Sequence, residues 1–216
     1  MFYFILFVFF FVLVEFSVVL LNIGTGKIVD EFQSYVEPQE NPNLSKFCTE
    51  LTGIKQDDVN SAMPLRYVLR CFKTWVDKTV QEHGLRMVTF EDLIVPEAEG
   101  SEAKKVSLNE NTLQSNSKLA TFVTWSDWDL NVCLYYECNR KNIKRPPYLS
   151  CWIDLKALYY LFYQRRPQGL NGALKELGMS FQGREHSGID DARNTAFLAQ
   201  QLVNSGCQMA ITKFRQ

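Results

Sequence analysis

The sequence has few of the residues from which many metal and disulfide sites are built. It contains only two histidines, His83 and His186, so a histidine-rich metal site is excluded. Its six cysteines form no Cys-x-x-Cys pair and lie mostly in apolar segments, which is typical of buried thiols in a reducing compartment. Any metal site must therefore rest on carboxylates, a ligand type that favours magnesium or manganese. We expect an intracellular protein, cytoplasmic or nuclear.

An excess of charge of either sign is also absent. Twenty-three lysines and arginines oppose twenty-four aspartates and glutamates, which gives a formal net charge of −1. The chain therefore lacks the overall basic field that is typical of many nucleic-acid-binding domains. Neutrality argues only weakly against a nucleic-acid enzyme, because such an enzyme can hold its substrate through a metal and a local groove.

The first fourteen residues contain no charged side chain. After Met1, thirteen uninterrupted apolar residues follow, fewer than the about 20 that a membrane helix needs. The positive start and small-residue cleavage site of a signal peptide are missing. Three alternatives stay open: a buried strand, an atypical N-terminal segment that replaces the usual one, and a membrane anchor over residues 1–21. We rank the anchor last and expect no stable membrane insertion, because Glu15 would place a charge in the bilayer.

Residues 15–212 predict one α/β domain, and 216 residues are enough for its core. Hydrophobic periodicity and turn residues define the elements. The predicted strands are 15–21, 28–36, 85–90, 119–125 and 151–154. The predicted helices are 44–52, one that starts after Pro64, 130–138, one that ends near Tyr163, 169–177 and one that opens at Asp190 and Asp191 and ends before Gly206.

Residues 91–118 differ in composition from the rest of the chain. They are acidic, rich in serine and asparagine and nearly free of aromatic residues. Such a segment buries too little apolar surface to offset the entropy lost on ordering. We therefore expect a mobile surface loop with little regular structure, lying between two halves of one domain.

The segment 183–195 carries the first candidate site. A glycine-containing loop presents His186, and Asp190 and Asp191 follow at the start of a helix. An imidazole next to a carboxylate can act as a general base beside a metal ligand. Taken alone, the segment favours a structural explanation, because capping and the helix dipole place aspartates in a first helical turn without any catalytic role.

Asp129 is the second candidate, because it follows the predicted strand 119–125. In open α/β sheets, ligands bind at the carboxyl ends of strands. Alternatively, Asp129 caps the helix that begins at Leu130. Asp127 is a competing candidate, which we interpret as a solvated loop residue. Together, Asp129, His186 and Asp191 supply two carboxylates and an imidazole, a set that fits metal-assisted attack of water on a phosphodiester.

Five stretches resemble the ERI exoribonuclease family of DEDDh 3′–5′ exonucleases. The most specific are Thr-Trp-Ser-Asp-Trp-Asp-Leu at 124–130 and Gly-Arg-Glu-His-Ser-Gly-Ile-Asp-Asp at 183–191. Residues 15–22, 32–38 and 47–55 are also similar to the family, in the same order. The resemblance covers about residues 15–212 of the chain.

The resemblance implies a ribonuclease-H-like (DnaQ-like exonuclease) α/β domain, with a mixed central sheet flanked by helices. It implies hydrolytic removal of 3′-terminal nucleotides from RNA or single-stranded DNA, with two Mg²⁺ or Mn²⁺ ions. On the matching positions, Asp129 and Asp191 are metal ligands and His186 is the general base. Asp190 is the neighbour of Asp191 that does not bind metal.

The chain departs from the family at its first motif. That motif is an Asp-x-Glu on the first strand, and both of its carboxylates contact metal in the family. This sequence has no acidic residue before Glu15. Glu15 matches the family's second-strand glutamate, and we do not assign it as a metal ligand. The ligand set is thus incomplete, and we expect impaired activity. The alternative is a non-catalytic nucleic-acid-binding or scaffolding domain of the same fold.

Overall fold

A computed structural model describes residues 3–8, 13–94, 107–113 and 117–215 of the chain. Its strands are Tyr3–Val8 (β1), Glu15–Asn22 (β2), Lys27–Tyr35 (β3), Leu85–Met87 (β4), Leu93–Ile94 (β5), Ser107–Leu108 (β6), Lys118–Thr124 (β7), Cys151–Asp154 (β8) and Lys213–Phe214 (β9). Its α-helices are Lys46–Thr52 (α1), Gln56–Asn60 (α2), Leu65–His83 (α3), Glu110–Leu113 (α4), Tyr135–Arg140 (α5), Leu155–Tyr163 (α6), Gly169–Glu176 (α7) and Gly188–Asn204 (α8).

A mixed sheet organises the fold, in the order β3-β2-β1-β7-β8-β9, and β4 pairs with β7 at its start. Strand β1 lies inside the sheet, antiparallel to β2 and parallel to β7. Residues 3–8 of the apolar N-terminal segment thus form a strand. Within the described residues, no helix is long and apolar enough to cross a bilayer.

Strand β2 is buried along its whole length because helices cover both faces of the sheet. Since successive side chains of a strand point to opposite faces, Phe16 and Val18 pack in one core with Phe72 of α3. Val19 and Leu21 pack in the other core, which the apolar residues of α8 complete. Apolar cores therefore lie on both faces of β2, and α8 packs across β2 and β1.

The predicted helix 130–138 has a different form and an earlier start. A π-helix spans Trp128–Leu134 and continues directly into α5. The strand predicted at 85–90 is shorter in the structure: β4 ends at Met87, and a 3₁₀ turn follows at Phe90–Asp92. The other predicted elements agree with the structure to within a few residues at their ends.

The stretch 91–118 contains short regular elements where the structure describes it. Strands β5 and β6 form a two-stranded sheet, with Leu93 opposite Leu108. Asp92 is buried and accepts hydrogen bonds from Arg86 and from the Thr112 hydroxyl. Residues 95–106 and 114–116 lie outside the described part of the chain. The mobility of this stretch therefore stays a prediction.

Candidate active site

Asp129 reaches the site through the strand end and the π-helix that follows it. It lies in the first turn of the π-helix and is only 5% exposed. The N-cap of that helix is Asp127, so helix capping does not account for Asp129. Asp127 accepts a hydrogen bond from the Asn131 amide at 2.9 Å and pairs with Lys213 at 3.4 Å. π-Helical turns are rare in proteins as a whole, but they occur frequently at functional sites. The π-helix therefore favours a functional role for this segment.

The three predicted site residues line one cavity of about 320 Å³. Asp129 contributes from the π-helix, His186 from the loop before α8, and Asp191 from the first turn of α8. The rest of the lining comes from the loop after β7, from the start of α7, and from Phe181 and Glu185. Residues that are far apart in the sequence thus meet at the carboxyl ends of the strands, as the strand–helix pattern predicts.

The loop before α8 has an unusual backbone. His186 is a non-glycine residue in the left-handed region, with φ +71°. Gly183 has φ +84°, and a Cβ there would lie 2.5 Å from the carboxyl carbon of Asp190. Because the loop is strained at His186, contacts with the surrounding structure must hold it in place.

Asp190 supplies one of these contacts. Its carboxylate accepts hydrogen bonds from the Arg184 backbone N–H at 3.0 Å and from Arg193 at 3.1 Å. Arg193 also binds Glu31 of β3 with two hydrogen bonds, at 2.8 and 2.6 Å. These contacts give Asp190 a structural role in fixing the loop. Its place as the neighbour that does not bind metal stays a prediction.

Asn194 supplies a second contact, which sequence reasoning missed. Its amide donates to the carbonyl oxygens of Gln182 at 2.8 Å and of Asp190 at 2.7 Å. Its side-chain oxygen accepts from the Gln182 N–H at 2.9 Å, and the residue is fully buried. The available signal was a polar residue within the apolar stripe of α8, one helical turn after Asp190.

Asp191 carries the main electrostatic feature of the cavity. Burial raises the pKa of its carboxyl to about 7, and the charges of Glu15, Glu185 and Asp190 act in the same direction. A hydrogen bond from the His186 backbone N–H partly opposes this rise in pKa. A cation bound near this carboxylate would favour its charged form.

The donor set fits part of a divalent metal site. Asp129 and Asp191 offer carboxylate oxygens in one cavity, the ligand type that Mg²⁺ and Mn²⁺ prefer. Among the described residues, no group of three or more histidine, cysteine, aspartate or glutamate side chains could hold a metal ion. The cavity thus offers the carboxylates of Asp129 and Asp191, with Glu185 as a third carboxylate in its lining.

Comparison with known proteins places this geometry in a class. The exonuclease (RNase_T) family matches residues 12–91 and 96–199. The nuclease domain of 3′hExo, a DEDDh family member solved with rAMP, superposes with a TM-score of 0.77 at 30% identity, over 99% of this chain and 97% of that one. A complex of a 3′-exonuclease described as recognising the 3′ end of the histone mRNA stem-loop also has a TM-score of 0.77, over 87% of its chain.

Proteins with similar sequences also carry exonuclease names. ERI1 exoribonuclease 2 of Xenopus laevis is 51% identical over 201 residues, 93% of this chain and 27% of the relative. Its Homo sapiens counterpart is 50% identical over 93% of this chain and 26% of the relative. The Drosophila melanogaster 3′-5′ exonuclease Snipper is 39% identical, over 64% of its length. The chain thus spans about a quarter of the first two of these curated relatives.

The fold and the acidic cavity define a ribonuclease-H-like nuclease domain of the DEDDh type. The chain belongs to the exonuclease (RNase_T) family, and the resemblance to the ERI exoribonucleases, in particular to their second member, is confirmed. Enzymes of this DEDDh type use divalent metal ions.

Proposed function

We propose that this chain is a 3′–5′ exonuclease domain that removes 3′-terminal nucleotides from RNA or single-stranded DNA. The observation that carries the proposal is that Asp129, His186 and Asp191 line the same cavity. Its volume of about 320 Å³ lies in the range of small-ligand sites, large enough for part of a nucleotide. Solved relatives bound to rAMP and to an RNA 3′ end support this class of substrate.

In this proposal, Asp129 and Asp191 hold divalent metal, Mg²⁺ or Mn²⁺. When bound, the metal neutralises charge on the phosphate and lowers the pKa of a coordinated water. His186 is the general base: its imidazole is exposed on the loop that borders the cavity and accepts the proton of the attacking water. The His186 N–H holds the Asp191 carboxylate through the backbone, so one loop fixes both the base and the ligand.

We further propose that the activity is impaired in the chain as it stands. Strand β1 occupies an interior place in the sheet, but residues 1–14 contain no carboxylate. Two of the family's metal ligands are therefore missing, and the remaining two leave both metal positions short of anionic groups. The second candidate function, favoured by the same observation, is nucleic-acid binding or scaffolding without catalysis. The setting we propose is intracellular, cytoplasmic or nuclear, where cysteines outside disulfides are usual, as the six cysteines of this chain are.

Two measurements on the purified chain test the proposal. Mn²⁺ titration and binding of a fluorescent single-stranded RNA are compared between the unchanged chain and the variants Asp129→Asn and Asp191→Asn. We expect both variants to weaken Mn²⁺ binding. Asp127→Asn is the matched control, because Asp127 lies two residues from Asp129 and contacts Lys213 and Asn131 instead. Equal loss in the control variant would contradict the assignment. RNA binding without nucleotide release, even in a version with the family's Asp-x-Glu strand restored, would favour the non-catalytic alternative.

A further inference from the structure

We propose that Glu15 is a positioning residue that fixes the start of α8, and with it the loop of His186 and the ligand Asp191. The effect of Glu15 on catalysis rests on the proposed function, whereas its effect on the structure of the loop does not. Glu15 opens β2 and is a carboxylate that is only 4% exposed. A buried charge of this kind is costly unless hydrogen bonds compensate it.

Three described donors provide that compensation. The Glu15 Oε1 atom accepts from the Ser17 hydroxyl at 2.6 Å and from the Gln33 amide at 2.8 Å. The Oε2 atom accepts from the Gly188 backbone N–H at 3.0 Å. The first two donors belong to β2 and β3, whereas the third is the first residue of α8. The carboxylate therefore ties the edge of the sheet to the helix that carries Asp191.

Gly188 permits this contact because glycine has no side chain. A Cβ at this position would lie 2.8 Å from the Glu15 carboxyl carbon and 2.9 and 3.0 Å from its two oxygens. Real Cβ atoms do not approach so closely, so glycine permits the carboxylate to reach the backbone. The negative charge of Glu15 near the first turn of α8 also interacts favourably with the positive end of the helix dipole.

The contact lies between the two proposed catalytic groups. Gly188 is two residues after His186, whose backbone is in the left-handed region, and three residues before Asp191. Asp191 donates its backbone N–H to the Ser187 carbonyl at 2.8 Å. Since a loop with a strained residue keeps its form only when its surroundings over-determine it, releasing Gly188 should loosen the stretch from His186 to Asp191.

Direct metal binding by Glu15 is the competing explanation. Among the described residues, those that line the cavity do not include Glu15. Both of its oxygens already accept hydrogen bonds from neighbouring groups, which a metal would have to displace. These contacts favour positioning.

The test compares Glu15→Ala and Glu15→Gln by amide hydrogen exchange of the metal-free, RNA-free protein. In Glu15→Ala, we expect exchange at 186–191 to accelerate by about tenfold or more, the loss expected for a buried hydrogen bond. Glu15→Gln should keep most of the protection, because its amide oxygen can still accept a hydrogen bond from the Gly188 N–H. Its NH₂ group then faces Gln33, whose side-chain amide can rotate by 180° so that its oxygen accepts the hydrogen bond. Ser17→Ala is the matched control, since it removes a hydrogen bond to the same carboxylate without touching α8.

Unchanged exchange at 186–191 in a folded Glu15→Ala would overturn the proposal. Should that variant not fold, Gly188→Ala displaces the carboxylate from the other side and must accelerate the same amides. Mn²⁺ titration separates the competing explanation: positioning predicts that Glu15→Gln binds Mn²⁺ nearly as the unchanged chain does. An equal loss of Mn²⁺ binding in Glu15→Gln and Glu15→Ala, with exchange intact in Glu15→Gln, would make Glu15 a ligand. Because hydrogen exchange is measured without substrate, it tests the positioning role of Glu15 even if the exonuclease proposal fails.

Discussion

Replacing Asp191 with asparagine is expected to stabilise the metal-free protein at neutral and alkaline pH. Burial and the neighbouring carboxylates raise the pKa of Asp191 from 3.8 to about 7. The native state therefore binds this proton more tightly than the unfolded chain does. Stability is then greatest below the unfolded pKa and falls as the pH rises from about 4 to about 7. Asparagine keeps an oxygen that can accept the His186 N–H but carries no charge.

The size of the effect follows from the same pKa values. At about 1.36 kcal/mol for each pKa unit, the difference between 3.8 and about 7 sets an upper limit of about 4 kcal/mol. Asp191 is partly exposed, and solvent screening reduces this limit. We expect about 1–2 kcal/mol, which corresponds to a melting temperature about 2–8 °C higher for a chain of this size.

Thermal melts in EDTA, from pH 4 to pH 8.5, measure this effect. The advantage of Asp191→Asn should grow between pH 4 and pH 7 and then level off. Added Mn²⁺ should stabilise the unchanged chain more than the variant, because ligand binding to the native state adds stability. Asp190→Asn is the control, and it should destabilise because Asp190 is paired with Arg193. A pH-independent loss of stability in Asp191→Asn would refute the electrostatic reasoning.

Three further outcomes are expected. On a background with the family's Asp-x-Glu strand restored, His186→Ala should slow nucleotide release by a factor on the order of 10²–10⁴, and Mn²⁺ titration should show binding retained. On the same background, Asp129→Ala or Asp191→Ala should weaken Mn²⁺ binding, and unaltered affinity would remove these residues from the ligand set. Hydrogen exchange across 91–118 should show little protection, whereas strong protection throughout would contradict a mobile loop.

The sequence predicted the parts of the site that depend on local patterns. Strand β7 and helix α8 follow from hydrophobic periodicity, and they bring Asp129 and Asp191 to the same edge of the sheet. His186 was a candidate from the sequence alone, but one loop histidine is weak evidence for catalysis, and the family motifs strengthened that prediction. The interior position of β1 was one of three alternatives, because an apolar run suits a strand and a membrane segment equally well.

Other features have no local signature. The π-helix that carries Asp129 differs from an α-helix by its i→i+5 hydrogen bonds, and the same apolar spacing is compatible with both. The contact between Glu15 and Gly188 joins residues 173 positions apart, so it depends on the complete fold. The raised pKa of Asp191 likewise depends on burial and on carboxylates from distant segments.

Nucleotide release from end-labelled single-stranded RNA in magnesium, resolved to single nucleotides, tests the central claim most directly. Two proteins are compared: the chain as it stands, and a version in which the family's first strand, with its Asp-x-Glu, is joined to Glu15. We expect trimming from the 3′ end by the restored version and little or no trimming by the chain as it stands. Asp191→Asn should abolish the trimming by the restored version. Equally fast trimming by the unrestored chain would contradict the proposal that its metal site is incomplete.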